Sequence, residues 1–188
     1  VLSHPKATAH REVKIESASM DKTAFPPLEK PSIAVLPFVN MSGDPTQEYL
    51  ADGMSNNNIT ALSKIPQMSV IARNSSFTFK GRAVNVQEAA QELRVRYVLE
   101  GSLQKAGDRV RTTAQLIEAD SGYHIWAEHY DRKLEDIFTL QDEITLNIAV
   151  ALQVVLTDGE QARVRHSSTA NLDAWAYFVK AYDLFERH

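Results

Sequence analysis

The stretch Arg96-Tyr97-Val98-Leu99-Glu100-Gly101-Ser102-Leu103-Gln104 is where the period of this chain changes, and the fold turns on it. Tyr97, Leu99, Gly101 and Leu103 alternate with Val98, Glu100, Ser102 and Gln104, the period of two expected of a strand with unlike faces. After Ala106-Gly107-Asp108 the alternation resumes, with Val110, Thr112, Ala114 and Leu116 set against Arg111, Thr113 and Gln115. After Asp120-Ser121-Gly122 it resumes again, with Tyr123, Ile125 and Ala127 on one face and His124, Trp126 and Glu128 on the other. Three half-exposed strands joined by glycine turns predict an antiparallel meander.

Upstream of Arg96 the pattern is different. Ser32-Ile33-Ala34-Val35-Leu36-Pro37-Phe38 is almost wholly apolar, as for a strand covered on both faces. Asp44 is placed to cap a helix that opens at Pro45, and Leu50, Met54, Ala61, Leu62 and Ile65 recur at helical spacing until Pro66. Met68-Ser69-Val70-Ile71-Ala72 reads as a second buried strand, followed by a polar loop. Asn85-Val86-Gln87-Glu88 is a capping box that opens a second helix, with Val86, Ala90 and Leu93 on one face. Strand, helix, strand, helix, strand in that order implies parallel pairing with right-handed crossovers.

Downstream of the meander, Ile137, Leu140, Ile144, Ile148, Leu152 and Val155 repeat at intervals of three and four, so one stripe of a long helix faces a core. The whole reads as α/β: a five-stranded mixed sheet, β-α-β-α-β-β-β-α, flanked by helices, plus a C-terminal helix over 172–185. The domain occupies 31–157, between a linker at 1–30 and a polar connector at 158–170, and the last helix falls in 171–188. A short extended piece at Glu12-Val13-Lys14-Ile15-Glu16 interrupts the linker.

Bulk properties narrow the class. With 188 residues the chain holds one domain of ordinary size plus tails, or two small ones. It has no cysteine, which excludes disulfides and thiolate metal sites and suits a reducing cytoplasm. A net charge of −4 argues against a dedicated nucleic-acid surface. No apolar run approaches the ~20 residues of a membrane span. The start at Val1 lacks an initiator methionine and an apolar signal core, so an internal fragment of a larger cytoplasmic protein is expected.

Motifs for chemistry are scarce. A Gly-x-Ser-x-Gly elbow, a Walker phosphate loop and a Gly-x-Gly-x-x-Gly fingerprint are all missing. His124 and His129 share a strand, but five residues apart they point to opposite faces, as befits the polar side of an exposed strand. Glu135, Asp136, Asp142 and Glu143 lie in the first turns of the long helix, where they complement its dipole. Glu48 and Asp52 share a helix face, and the ordinary reading is that they meet solvent. Neither a catalytic residue nor a metal ligand nor a cofactor is expected. One loop has the makings of a ligand or partner surface: Arg73, Asn74, Ser75, Ser76, Lys80 and Arg82 follow a parallel strand at the end where open α/β sheets bind ligands. An anion or an acidic segment suits those groups. The other reading is structural, with Phe77 and Phe79 plugging the core and side-chain bonds closing the turn. Likewise Tyr123, Trp126 and Tyr130 on the last strand read either as an exposed docking patch or as core and edge packing.

Taken as strings, Pro31-Ser32-Ile33-Ala34-Val35-Leu36-Pro37-Phe38, Asn40-Met41-Ser42-Gly43-Asp44-Pro45, Val70-Ile71-Ala72-Arg73-Asn74-Ser75-Ser76-Phe77 and Ile125-Trp126-Ala127-Glu128-His129-Tyr130-Asp131-Arg132 resemble the TolB amino-terminal-like domain of large bacterial signalling proteins. The resemblance implies a place after a class III adenylate/guanylate cyclase domain, or after a winged-helix DNA-binding domain, and before tetratricopeptide repeats. The tail fits this. Trp175, Phe178 and Tyr182 look like the docking residues of the first helix of such a repeat, with Val179 where a small residue is usual. Relatives tend to carry two acids and an apolar residue where this chain has Asn56-Asn57-Asn58. Asn58 falls on the apolar stripe between Met54 and Leu62, so it must find a hydrogen bond or the helix must bend.

The function that follows is a non-catalytic regulatory or protein-interaction module in cyclic nucleotide signalling, in a parent that resembles an adenylate cyclase making cyclic AMP from ATP. The same module in a transcription regulator, or a small-molecule sensor built on the loop from Arg73, are the competing readings. Expected partners are proteins: the parent's own cyclase or repeat domains, or a second copy in a homodimer. Nucleic acid and membrane are not expected to bind this fragment.

Overall fold

Four consecutive buried residues, Ser32–Val35, form β1, and their apolar character on both faces reflects cover on both sides. Pro37 has no N–H to give to a ladder, so the single strand expected over 32–38 divides. β1 ends at Val35, and a two-residue strand β2 (Val39–Asn40) follows. The sheet therefore has six strands rather than five. The computed structural model describes residues 30–152 together with Val154, Tyr177 and Ala181. Most of the linker, the extended piece at 12–16, Val155, the connector and Trp175, Phe178 and Tyr182 lie outside the described residues.

Asp44 does cap the next element. Its carboxylate accepts from the Thr46 N–H, Pro45 stands at the first position, and a short 3-10 turn leads into α1 (Glu48–Leu62). The remaining elements are β3 (Ser69–Val70), α2 (Arg73–Phe77), α3 (Val86–Leu93), β4 (Tyr97–Ala106), β5 (Arg109–Glu118), β6 (His124–Lys133) and α4 (Ile137–Ala151). Asn85 caps α3 by accepting from Gln87 N at 2.8 Å.

The strand order is β3-β1-β4-β5-β6, with β2 pairing beside β4. β1 runs parallel to both β3 and β4, while β4, β5 and β6 form the antiparallel meander. One face of the sheet sends Ile33, Val35, Leu99, Leu103, Ala114 and Leu116 into a core shared with α1 and α4. The other sends Ala34, Leu36 and Val98 against α3 and Phe79. This second core ends at Val98 and Ala119. From Glu100 onward that face carries Ser102, Thr113 and Gln115, all half open to solvent.

The stripe read on the last helix of the domain is the buried one, since Ile137, Leu140, Ile144 and Ile148 are fully enclosed. β6 departs from the reading. Its core face carries Trp126 and Tyr130, while Ile125 is 41% and Tyr123 77% exposed. Pairing with β5 decides this. Trp126 stands opposite Leu116 and Tyr130 opposite Thr112, both on the core side, and a register irregularity at Leu116/Ile117 shifts the residues before it.

Asn58 is fully buried, and it finds its bonds. Its amide donates to Met54 O at 2.9 Å, and its carbonyl accepts from Thr145 Oγ1 at 3.4 Å. Beside it Asn57 Nδ2 donates to Gln141 Oε1 at 2.8 Å. Asn57 and Asn58 thus place a polar seam between α1 and α4.

Candidate functional site

In a sheet ordered β3-β1-β4, the chain leaves β1 towards one neighbour and returns on its other side. The carboxyl ends of β1 and β4 therefore mark a topological switch point, the usual place for a ligand in open α/β folds. The segment after β3 runs past this end, and the local sequence shapes it more than expected. Instead of a plain loop, Arg73–Phe77 forms a five-residue helix that opens on extended Ala72. Two further turns, Lys80 N to Phe77 O and Arg82 N to Phe79 O, follow it, and Gly81 at φ 71° supplies the left-handed residue that ends them.

The candidate residues on this segment separate. Asn74 and Ser75 face solvent, while Ser76 is fully buried and its hydroxyl has no partner among the described residues. The Arg73 guanidinium stacks 3.8 Å over the Phe77 ring. Lys80 turns towards α1, where its ammonium donates to Asp52 and lies 3.4 Å from Glu48. Asp52 is 3% exposed, which corrects its reading as a solvent-facing carboxylate. An ion pair at such depth is held because the charge would be costly alone. Lys80 is thereby committed to this chain's own acids. Phe79, 4% exposed, plugs the second core as the structural reading had it, and Phe77 packs against the first.

Arg82 is placed differently. Among the described residues it donates only to Thr78 O at 3.4 Å, leans over the Phe79 ring at 5.2 Å, and borders a hollow of about 260 Å³ just beyond the end of β1. The same hollow is bordered by Glu100. Sequence reasoning passed over Glu100 because, within its strand, it is one more polar residue on the outer face. Lys80 joining Glu48 and Asp52 also had no local signal, since it stands 28 residues from Asp52.

On β6 the three aromatics part company. Tyr130 is buried, accepts from Asn147 Nδ2 at 3.0 Å, and burial holds its phenol above the ordinary range. Trp126 is half-buried against the first core, and only Tyr123 is left out in solvent. Beside them Asp131 accepts from Arg109 at 2.9 and 2.5 Å and from Arg111 at 3.2 Å, which holds its carboxyl below the ordinary value. No cluster of three or more histidine or carboxylate side chains suited to a metal ion occurs among the described residues, and none of their helices is long and apolar enough to cross a membrane.

The sequence profile of the HilA/YgeH-like transcriptional regulators, second domain, matches residues 29–147. The chain belongs to that family. The match covers the whole sheet and most of α4. A relative in Rhizobium meliloti (strain 1021), named "Putative adenylate cyclase 3", is 53% identical over 158 residues. That match takes in 84% of this chain and 26% of the relative, so the chain spans about a quarter of that protein. TolB from Acinetobacter baumannii shares the fold at a TM-score of 0.51 and 18% identity, over 70% of this chain and 30% of that one.

Proposed function

We propose that this chain is a non-catalytic regulatory and protein-interaction domain of a larger cyclic nucleotide signalling protein in the cytoplasm, lying between an adenylate cyclase domain and a tetratricopeptide array. The observation that carries the reading is the 53% identity to a cyclase-named relative of which about three quarters lies outside the match. The strongest charge clusters support it. Lys80 with Glu48 and Asp52, and Asp131 with Arg109 and Arg111, are each closed on themselves, which suits a scaffold better than turnover. Purified chain given ATP with Mg²⁺ or Mn²⁺ is expected to form no cyclic AMP, and measurable turnover sinks the reading. Deleting 31–157 from the parent should leave its cyclase activity but change how that activity responds to signal.

The family membership favours a second reading, the same module in a winged-helix transcription regulator. There the parent binds DNA through its upstream domain. This chain, with net charge −4, should not shift a DNA fragment in either setting.

A further inference from the structure

We propose that the hollow beyond the carboxyl end of β1 binds a free α-amino acid with an apolar side chain, its carboxylate on Arg82 and its ammonium on Glu100. Position and chemistry point to this independently. The hollow lies just beyond the carboxyl end of β1, over the middle of β4 and β5, and its volume of about 260 Å³, just under the ~300–1,000 Å³ of drug-sized sites, suits an amino acid.

Its charges are opposite and uncommitted. Arg82 donates only the long 3.4 Å bond to Thr78 O, and Glu100 has neither an ion pair nor a hydrogen bond among the described residues. A guanidinium and a carboxylate that border one hollow without pairing match a ligand carrying both signs. Lys80, the other cation of this segment, is neutralised by α1 and does not compete for the carboxylate. The same hollow is lined by the apolar Leu36, Val84 and Phe79, which would receive an aliphatic or aromatic side chain. The Ser102 and Thr113 hydroxyls already bond each other at 2.7 Å, so the polar floor asks little of the ligand. This site stands apart from the cyclase-associated reading, and either can fail without the other.

The test is calorimetric titration of the 188-residue chain with L-leucine and L-phenylalanine, each run beside its N-acetyl and its amide analogue. Saturable binding of the free amino acids is expected. Either blocked analogue should bind at least about tenfold more weakly, the loss of one charge-assisted bond. Arg82→Gln and Glu100→Gln should each weaken L-leucine by a similar factor, with unchanged thermal midpoints showing that the variants fold. No binding of either free amino acid at about 10 mM overturns the proposal. So does equal binding of the blocked analogues, which would make the hollow a seat for peptide, and so does full affinity in both variants. The analogue comparison uses the unaltered chain, so it decides the matter even if a variant unfolds.

Discussion

At the scale of single residues, two positions carry more than their type announces. Gly101 sits mid-strand in β4 because the Phe38 ring lies across it. A Cβ there would meet that ring at 2.6 and 2.8 Å and press on the Thr113 carbonyl. Neither neighbour is a flexible chain end, since Phe38 is 1% exposed and Thr113 offers backbone. Gly101→Ala should therefore cost about 1–3 kcal/mol in urea denaturation, and Phe38→Leu in the same chain should restore part of it. A variant as stable as the parent chain would mean that ring and strand are free to separate. The Lys80 pair makes an asymmetric prediction. Lys80→Met removes the ammonium from the buried Asp52 carboxylate, for about 2–4 kcal/mol, whereas Asp52→Asn leaves the half-exposed ammonium with Glu48 and water, for about 1 kcal/mol. Equal losses at pH 7 would show that the acid is not buried in solution. The sequence indicated that Glu48 and Asp52 share a helix face, but their cation comes from 28 residues on, beyond any local pattern.

At the scale of elements, legibility followed the strength of the period. α4 was readable because Ile137, Leu140, Ile144 and Ile148 leave one choice of buried face. β5 was equally plain, with Val110, Thr112, Ala114 and Leu116 all buried. β6 was not, because apolar groups stand on both its faces. There the pairing with β5 and the area of Trp126 and Tyr130 outweigh Ile125 and Tyr123. From Arg73 to Arg82, seven polar residues with two phenylalanines and Gly81 carry no helical period, so a one-turn helix held by its capping turns was invisible. β6 also supplies a pH dependence. Asp131 has a lowered folded value, first through Arg109 and then through Arg111. Its contribution is present above the ordinary carboxyl value of 3.8 and is lost as pH falls through the lowered one. Asp131→Asn should thus lower the thermal midpoint near neutrality, the gap closing as pH drops below about 4. Added salt should narrow the gap too, since the cluster is open to water. A gap constant with pH would assign the loss to packing.

At the scale of the whole molecule, the parallel half and the meander belong to one body because a single core joins them. α1 follows β2 near the start and α4 follows β6 near the end, yet both lie on the same face. Asn57 meets Gln141 and Asn58 meets Thr145 across separations of 84 and 87 residues. That seam was partly legible: the sequence required a partner for Asn58 but had no means of naming Thr145. The energetics make α4 indispensable. Ile137, Leu140, Ile144 and Ile148 are each at most 1% exposed, and full burial of such a side chain is worth about 1.5–3 kcal/mol. Their sum is comparable with the entire ~5–15 kcal/mol by which a domain is stable. A chain ending at Lys133 keeps every strand and every ladder bond of the sheet, but strips α4 from the core face of β5 and β6, where Leu116 and Tyr130 lie. It should show no cooperative urea transition and should bind a hydrophobic dye. The full chain, with only Ile144→Ala, should still unfold in one step after losing about 2–5 kcal/mol. A sharp transition in the truncated chain would mean that the sheet and α1 fold without α4, and that the seam through Asn58 serves docking rather than stability.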